Sequence, residues 1–266
     1  MKKGLMITVL MLFVGLLSGC STSSNIYTYI LDESFEGFIT LGTSADYPPY
    51  EWPKQVDGKN TLVGIDIEIA KEIAIALNKN LKVVNKGFDF LLDDLENGKV
   101  DFVLAGMTPT EERAKQVDFS MVYYEAIQVI LVQKSMVNTY TTIDSLNLAN
   151  VRIGAQMGSI QQDLANDTFT VAQKSFIQSI PDLVMRLMDG QVNAVIMEKP
   201  VADGYVLNQT SLAIASIQIG DPDGGSAVAV QKGNIELLKV INAVLTDLIE
   251  SGKMDEIVAN AIVLNS

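Results

Sequence analysis

The run Leu91-x3-Leu95-x2-Gly98-x-Val100-Asp101-x-Val103-Leu104 recurs as Leu183-x3-Leu187-x2-Gly190-x-Val192-Asn193-x-Val195-Ile196, at a constant offset of 92 residues. Each copy reads as a helix, a glycine stop and a buried strand. Two copies this far apart imply two α/β lobes of common ancestry, because a solenoid needs three or more short repeats. Near-continuous apolar strands alternating with helices predict mainly parallel sheets covered on both faces. At the shared offset Gly106 matches Glu198, so equivalent strands end in a glycine corner in one lobe and an acid in the other. Ligands of open α/β sheets sit beyond the carboxyl ends of the strands, which sets these two corners facing each other across a cleft.

The first corner continues as Ala105-Gly-Met-Thr-Pro-Thr-Glu-Glu-Arg113. Thr110 is placed to cap a helix whose first turn carries Arg113, and that turn returns the guanidinium over the strand end beside Gly106 and Thr108. A planar fork binds a carboxylate by two parallel charge-assisted hydrogen bonds, which fixes orientation as well as affinity. The alternative is a surface arginine paired with Glu111 or Glu112. A cationic clamp opposite an acid suits a zwitterion.

Lys2 and Lys3 precede thirteen uncharged residues, Leu5 to Leu17, and the segment closes on Leu17-Ser18-Gly19-Cys20. This pattern is a secretion signal, too short to span a bilayer. Its ending resembles the lipobox of bacterial lipoproteins, which implies that Cys20, the sole cysteine, is acylated and becomes the new amino terminus. Removal of the leader leaves 247 residues, enough for two lobes, and takes the formal charge from −13 to −15. That charge argues against nucleic acid and against electrostatic adhesion to anionic lipid. The chain has no histidine, no GxxxxGK[ST] and no GxSxG, so the usual bases, phosphate loops and nucleophile turns are missing.

Along the chain, Phe38 to Thr43 reads as a strand and Ser44 to Gly64 as a long loop punctuated by Pro48, Pro49, Pro53 and Asp57-Gly58. Asp66 is placed to cap the next helix, and Leu81 to Asn85 is a strand. The second lobe reads as strands Ile127–Gln133, Val151–Gln156, Phe169–Val171 and Ala194–Met197, with helices from Ser159, Asp182 and Val201. Ile235 to Leu264 is a helical pair broken at Ser251-Gly252, packing back on the first lobe.

The mature chain resembles the extracytoplasmic solute-binding proteins of polar amino-acid ABC transporters through TSADYPPYEW, VGIDIEIA, AGMTPTEER, VDFSMVYYEA, RIGAQMGS and AVIMEKPVA, in the family's order. The resemblance implies a two-lobed, type II periplasmic-binding-protein-like α/β fold. It carries over the α-carboxylate site to Arg113, Thr108 and the Gly106 backbone, completed by the helix start at Ser159 and Ile160. It assigns the α-ammonium to Glu198, where the family usually has aspartate, the side-chain sandwich to Tyr47 and Phe88, and side-chain selection to Ser44, Glu51, Gln156 and Gln161. Tyr47 and Phe88 also read as core aromatics, Glu51 as a solvated loop charge and the glutamines as partners of turn backbone. Relatives with cationic ligands place an acid where this chain has Ser44; Asp46, Glu51 or Asp89 would have to supply that charge.

The expected organisation is a signal peptide at 1–19, the lipidated cysteine and tether at 20–36, lobe 1 at 37–124 and 226–266, lobe 2 at 128–219, and hinges at 125–127 and 220–225. The expected molecule is a lipid-anchored extracytoplasmic monomer without cofactor, metal or nucleic acid. It is not an enzyme; it closes on a polar L-amino acid and delivers it to a transmembrane permease. The rival readings are a prephenate-type dehydratase on the same scaffold and a sensing component of a receptor.

Overall fold

The computed structural model describes residues 25–125, 127–220 and 224–266; Cys20 and the leader lie outside the described residues. The first lobe runs through β1 (Ile26–Tyr29), β2 (Phe38–Thr43), β3 (Trp52–Val56), β4 (Lys59–Val63), α1 (Ile65–Ala76), β5 (Asn80–Asn85), α2 (Leu91–Glu96), β6 (Phe102–Val103), the one-turn α3 (Arg113–Gln116) and β7 (Val117–Glu125). The chain crosses to the second lobe as β8 (Gln128–Gln133), α4 (Ile143–Leu146), β9 (Arg152–Gln156), α5 (Ile160–Thr168), β10 (Gln173–Ile177), α6 (Ile180–Met188), β11 (Ala194–Glu198), α7 (Lys199–Asn208) and β12 (Leu212–Ile214). It returns as β13 (Gly225–Gln231), α8 (Ile235–Glu250) and α9 (Lys253–Asn265).

Each lobe is built on one sheet, ordered β1-β5-β2-β6-β13-β7 in the first and β10-β9-β11-β8-β12 in the second. The trios β5-β2-β6 and β10-β9-β11 are parallel. The remaining pairs are antiparallel: β13 and β8 run against their trios, β7 and β12 run against β13 and β8 and so with the trios, and β1 adds to β5 from the opposite direction.

The duplicated run is visible as two equivalent units. Leu91, Leu95 and Val100 are buried in one, and Leu183, Leu187 and Val192 in the other. Gly98 and Gly190 end their helices at φ 67° and 71°, a left-handed turn that glycine adopts without steric cost. Each buried leucine contributes at most about 1.5–3 kcal/mol of burial. On α6 Leu183 and Leu187 recur at helical spacing with Ile180 and Val184, and the Ser179 hydroxyl caps the first turn.

Four local expectations change. Residues 52–63 form the hairpin β3–β4 rather than loop, because Asp57 and Gly58 take φ 50° and 74°, the paired positive values of a two-residue turn that matches strand twist. Asp66 does not cap α1: Gly64 holds that position at φ 128°, where a Cβ would stand 2.1 Å from the Tyr50 carbonyl oxygen. The strand expected at Phe169–Val171 lies at β10, since the fully buried Phe169 closes α5 instead. Ile26–Tyr29 belongs to the sheet rather than to the tether, with the Tyr29 hydroxyl donating to the Leu62 carbonyl at 2.8 Å.

Candidate functional site

The cleft is a closed seam between the carboxyl ends of the two parallel trios. Tyr47, Phe88, Ala105, Gly106, Thr108, Arg113, Gln156, Ser159, Ile160 and Gln161 line a cavity of about 10 Å³. That is room for about one water, so the lobes must part before any larger ligand enters. Hydrogen bonds from both lobes hold the seam, three of them at its acids and its arginine. The Tyr50 hydroxyl donates to Glu198 Oε2, the Ile180 N–H donates to Asp46 Oδ2 at 2.9 Å, and Arg113 Nη2 donates to the Gly158 carbonyl at 3.0 Å.

Arg113 takes its place from α3. Thr110 Oγ1 accepts the Arg113 N–H at 3.2 Å from the turn before the helix, but the cap position expected for Thr110 falls to Glu112, because the helix lasts one turn and starts only at Arg113. The guanidinium lies 5.3 Å from the centre of the Phe88 ring and donates to the Thr108 carbonyl at 2.6 Å. Arg113 has no partner in any ion pair among the described residues. Burial lowers its pKa to about 10, so it remains a cation at neutral pH. Opposite it begins α5, with Ser159 Oγ accepting the Gln162 N–H and donating to the Gln156 carbonyl. Ile160 opens the helix, where the backbone N–H has no intrahelical acceptor and faces anions favourably.

The Gly106 backbone behaves differently from the expectation. Its N–H donates to Asp66 Oδ2 at 2.8 Å and is not free for a ligand carboxylate. Its φ of 53° and the Tyr47 ring, which a Cβ would meet at 3.3 Å, explain the glycine. Asp66 accepts the Tyr123 hydroxyl as well, at 2.7 Å. Glu51 is fully buried beside Asp66, with neither carboxyl oxygen receiving a donor. Burial, then Asp66, pushes Glu51 well above the usual carboxylate range, and burial raises Asp66 to about 6. Adjacent buried carboxylates resist ionising together, so Glu51, the more strongly raised of the two, keeps its proton. Glu51 is thus neither a solvated loop charge nor part of the cavity lining.

Glu198 is 1% exposed and lies behind the lining. Burial raises its pKa to about 7, against the opposing hydrogen bonds from Tyr50 and Gln128. Its backbone N–H donates to the Tyr47 hydroxyl at 3.1 Å. Gln161 Nε2 donates to Gln128 Oε1 at 2.8 Å, so Gln161 reaches Glu198 through Gln128. Ser44 is buried at 3.5 Å from Asp46 Oδ1. Gln156 Nε2 donates to the Gln178 carbonyl and to Asp46 at 3.1 and 3.4 Å, serving turn backbone and side chain together. Burial raises Asp46 to about 6. Asp89 instead accepts the Gln178 amide at the rim.

Tyr50 escaped the sequence reading although it is fully buried and touches the acid. Its ring stacks on Tyr47 at 5.7 Å and 15° and meets Tyr124 edge-on. The available signal was its place in the same YPPY loop as Tyr47.

The family model for bacterial extracellular solute-binding proteins, family 3, matches residues 39–262. The arginine-binding extracellular protein ArtP of Bacillus subtilis (strain 168) is 33% identical over 264 residues, covering 97% of this chain and 96% of that protein. Among solved structures, the amino acid ABC transporter substrate-binding protein AbpA of Streptococcus pneumoniae, bound to L-arginine, is similar at a TM-score of 0.83 and 38% identity, over 86% of this chain and 96% of that one. The ancestral amino-acid-binding protein AncCDT-1, described as a precursor of cyclohexadienyl dehydratase, is similar at 0.78 and 27% identity, over 85% and 96%.

Proposed function

The chain belongs to the bacterial extracellular solute-binding proteins, family 3, and we propose that within this family it binds a cationic L-amino acid, arginine foremost, by closure of its two lobes. It then delivers the ligand to the permease of an ABC importer. The observation that carries the ligand class is the charge pattern of the cleft. Arg113, half-buried and in no ion pair among the described residues, shares the cleft with the fully buried Glu198 and the half-buried Asp46, neither of which has a cationic partner there. A ligand with one carboxylate and two cationic groups supplies the three missing counter-charges. In this reading the α-carboxylate goes to Arg113, the Thr108 hydroxyl and the Ile160 amide, and the α-ammonium to Glu198. The side chain runs between Tyr47 and Phe88 toward Asp46, which takes the place of the acid missing at Ser44. Gln156 and Gln161 hold the acids in position, and the Glu51–Asp66 pair holds Gly106.

Closure turns about segments 125–127 and 220–225, of which Ala126 and residues 221–223 lie outside the described residues. The lipid on Cys20 belongs to this proposal too and falls outside the described residues, as does the palmitate it would carry. Calorimetric titration with arginine, lysine, histidine and glutamine tests the ligand class. Arginine should bind at least tenfold more tightly than glutamine, a difference of about 1.4 kcal/mol, and Asp46→Asn should erase the preference. Equal affinity for glutamine in the wild type would remove the cationic assignment. A second reading draws on the similarity to AncCDT-1 and on the Glu198 carboxyl, titrating at about 7. Measurable turnover of a prephenate-like acid by the wild type would replace the binding role with an enzymatic one.

A further inference from the structure

β1 gives the amino-terminal tether a fixed point of departure. Asn25, the first described residue, accepts the Asn85 N–H on its carbonyl at 2.8 Å. Asn85 Oδ1 in turn accepts the N–H of Ala45, two residues before Tyr47, at 2.8 Å. Since β1 runs antiparallel to β5, its beginning lies at the carboxyl end of β5, which is the cleft end of the lobe. In the plane of the sheet β1 forms one edge, and the strands that lead to the second lobe, β7 and β13, form the other. The edge remote from the crossings is where the lobes part, so the chain leaves the first lobe at the mouth of the cleft. The second lobe shows the same arrangement. β10 is its remote edge, and Gln178, just past the end of β10, donates across the mouth to both carboxyl oxygens of Asp89 at 3.0 and 3.1 Å.

We propose that β1 turns the mouth of the cleft toward the lipid bilayer. The inference rests on the reading of Cys20 as the lipid-bearing residue. Asn25 follows Cys20 by five positions, and a fully extended chain of five steps reaches about 17 Å. The mouth is therefore the part of the molecule held nearest the membrane. Charge does not do the orienting, since a mature chain of −15 is repelled by anionic headgroups. Without β1 the tether would run eighteen positions to Phe38, which lies at the end of the lobe away from the cleft.

The test uses full-length protein made in cells, where the lipid blocks Cys20 and an introduced cysteine is the only free thiol. Phe90→Cys places a dye at the mouth, in the turn after β5, and Glu36→Cys places one at the opposite end of the same sheet. The protein is reconstituted in phosphatidylcholine vesicles carrying a headgroup-labelled acceptor lipid. The two labels stand about 20 Å apart along the strands, six residues at about 3.3 Å each, so energy transfer at Phe90 should exceed that at Glu36 roughly twofold or more. A flexible Gly/Ser insertion of about 30 residues between Ser24 and Asn25 should abolish the difference. Equal transfer at the native tether length, or stronger transfer from Glu36, overturns the orientation while leaving the anchor standing. Absence of fatty-acid label on Cys20 overturns the anchor and the orientation with it.

Discussion

Replacing Arg113 by methionine separates what this side chain does for binding from what it does for folding. Methionine keeps an apolar stem against Phe88 and deletes the charge. In the closed cleft the guanidinium is half-buried without an ion-pair partner, and burial lowers its pKa to about 10 against the opposing charge of Asp163. That shift corresponds to about 3 kcal/mol by which the cleft disfavours the cation. Its two hydrogen bonds, to the Thr108 and Gly158 carbonyls, offset about 1 kcal/mol each. Their loss and the relief of the buried charge nearly cancel, so the melting temperature of ligand-free Arg113→Met should stay within about 3 °C of wild type, since 1 kcal/mol moves a chain of this size by about 2–4 °C. Ligand affinity should collapse, because breaking a buried ion pair costs about 3–5 kcal/mol, or about 150-fold to several thousandfold. Thermal melts and calorimetry with arginine read the two quantities independently. A loss of affinity below tenfold, or a fall of the ligand-free melting point by much more than 3 °C, would refute the reasoning and make Arg113 a structural group.

Two further outcomes follow from the buried acids. Glu198 has its pKa raised from 4.5 to about 7 in the closed empty cleft, so protonation favours that form and the advantage fades as pH rises through about 7. A ligand ammonium needs the ionised carboxylate; affinity should therefore fall as pH drops from 7.5 to 5.5, by at most about tenfold per unit for one proton, and calorimetry on Glu198→Gln should show both weaker binding and a flatter profile. Undiminished binding by Glu198→Gln would reject the ammonium role. Glu51→Gln keeps a neutral side chain of the same size beside Asp66 and should fold with nearly wild-type stability, whereas Glu51→Ala leaves a void costing about 2–3 kcal/mol in denaturant melts; equal losses in the two variants would reject a protonated Glu51.

Much of the architecture was legible because it repeats. The 92-residue offset located two helix–glycine–strand units, and hydrophobic periodicity located α8 and α9 with their break at Gly252. The misreadings share a cause, which is that tertiary partners decided what local patterns left open. Asp66 has the residue type and position of a cap, yet the Gly106 amide and the Tyr123 hydroxyl compete for it from 40 and 57 residues away. Ile26–Tyr29 is too short to show alternation and becomes a strand only because β5 offers an open edge. Asp57-Gly58 did carry a local hairpin signal, masked by the three prolines of the same loop. Within the site, the spacing of Thr108, Thr110 and Arg113 was readable, but Glu198 meeting a lobe-one tyrosine depends on how the lobes meet, which no motif spacing encodes.

The bonds that hold the seam compete with any ligand that needs the same groups. Each one that a bound amino acid must displace, such as Arg113 to Gly158, subtracts about 1 kcal/mol from apparent affinity, about fivefold. They also set the idle traffic at the importer. A transporter that senses only the outline of a closed molecule meets the same outline loaded and unloaded, and wasted encounters scale with the fraction of empty molecules that are shut. To carry the population from 1% to 99% closed, the ligand must prefer the closed form by about 5.5 kcal/mol. Tyr50 and Asp46 therefore act as a dial between sensitivity to scarce solute and economy of transport.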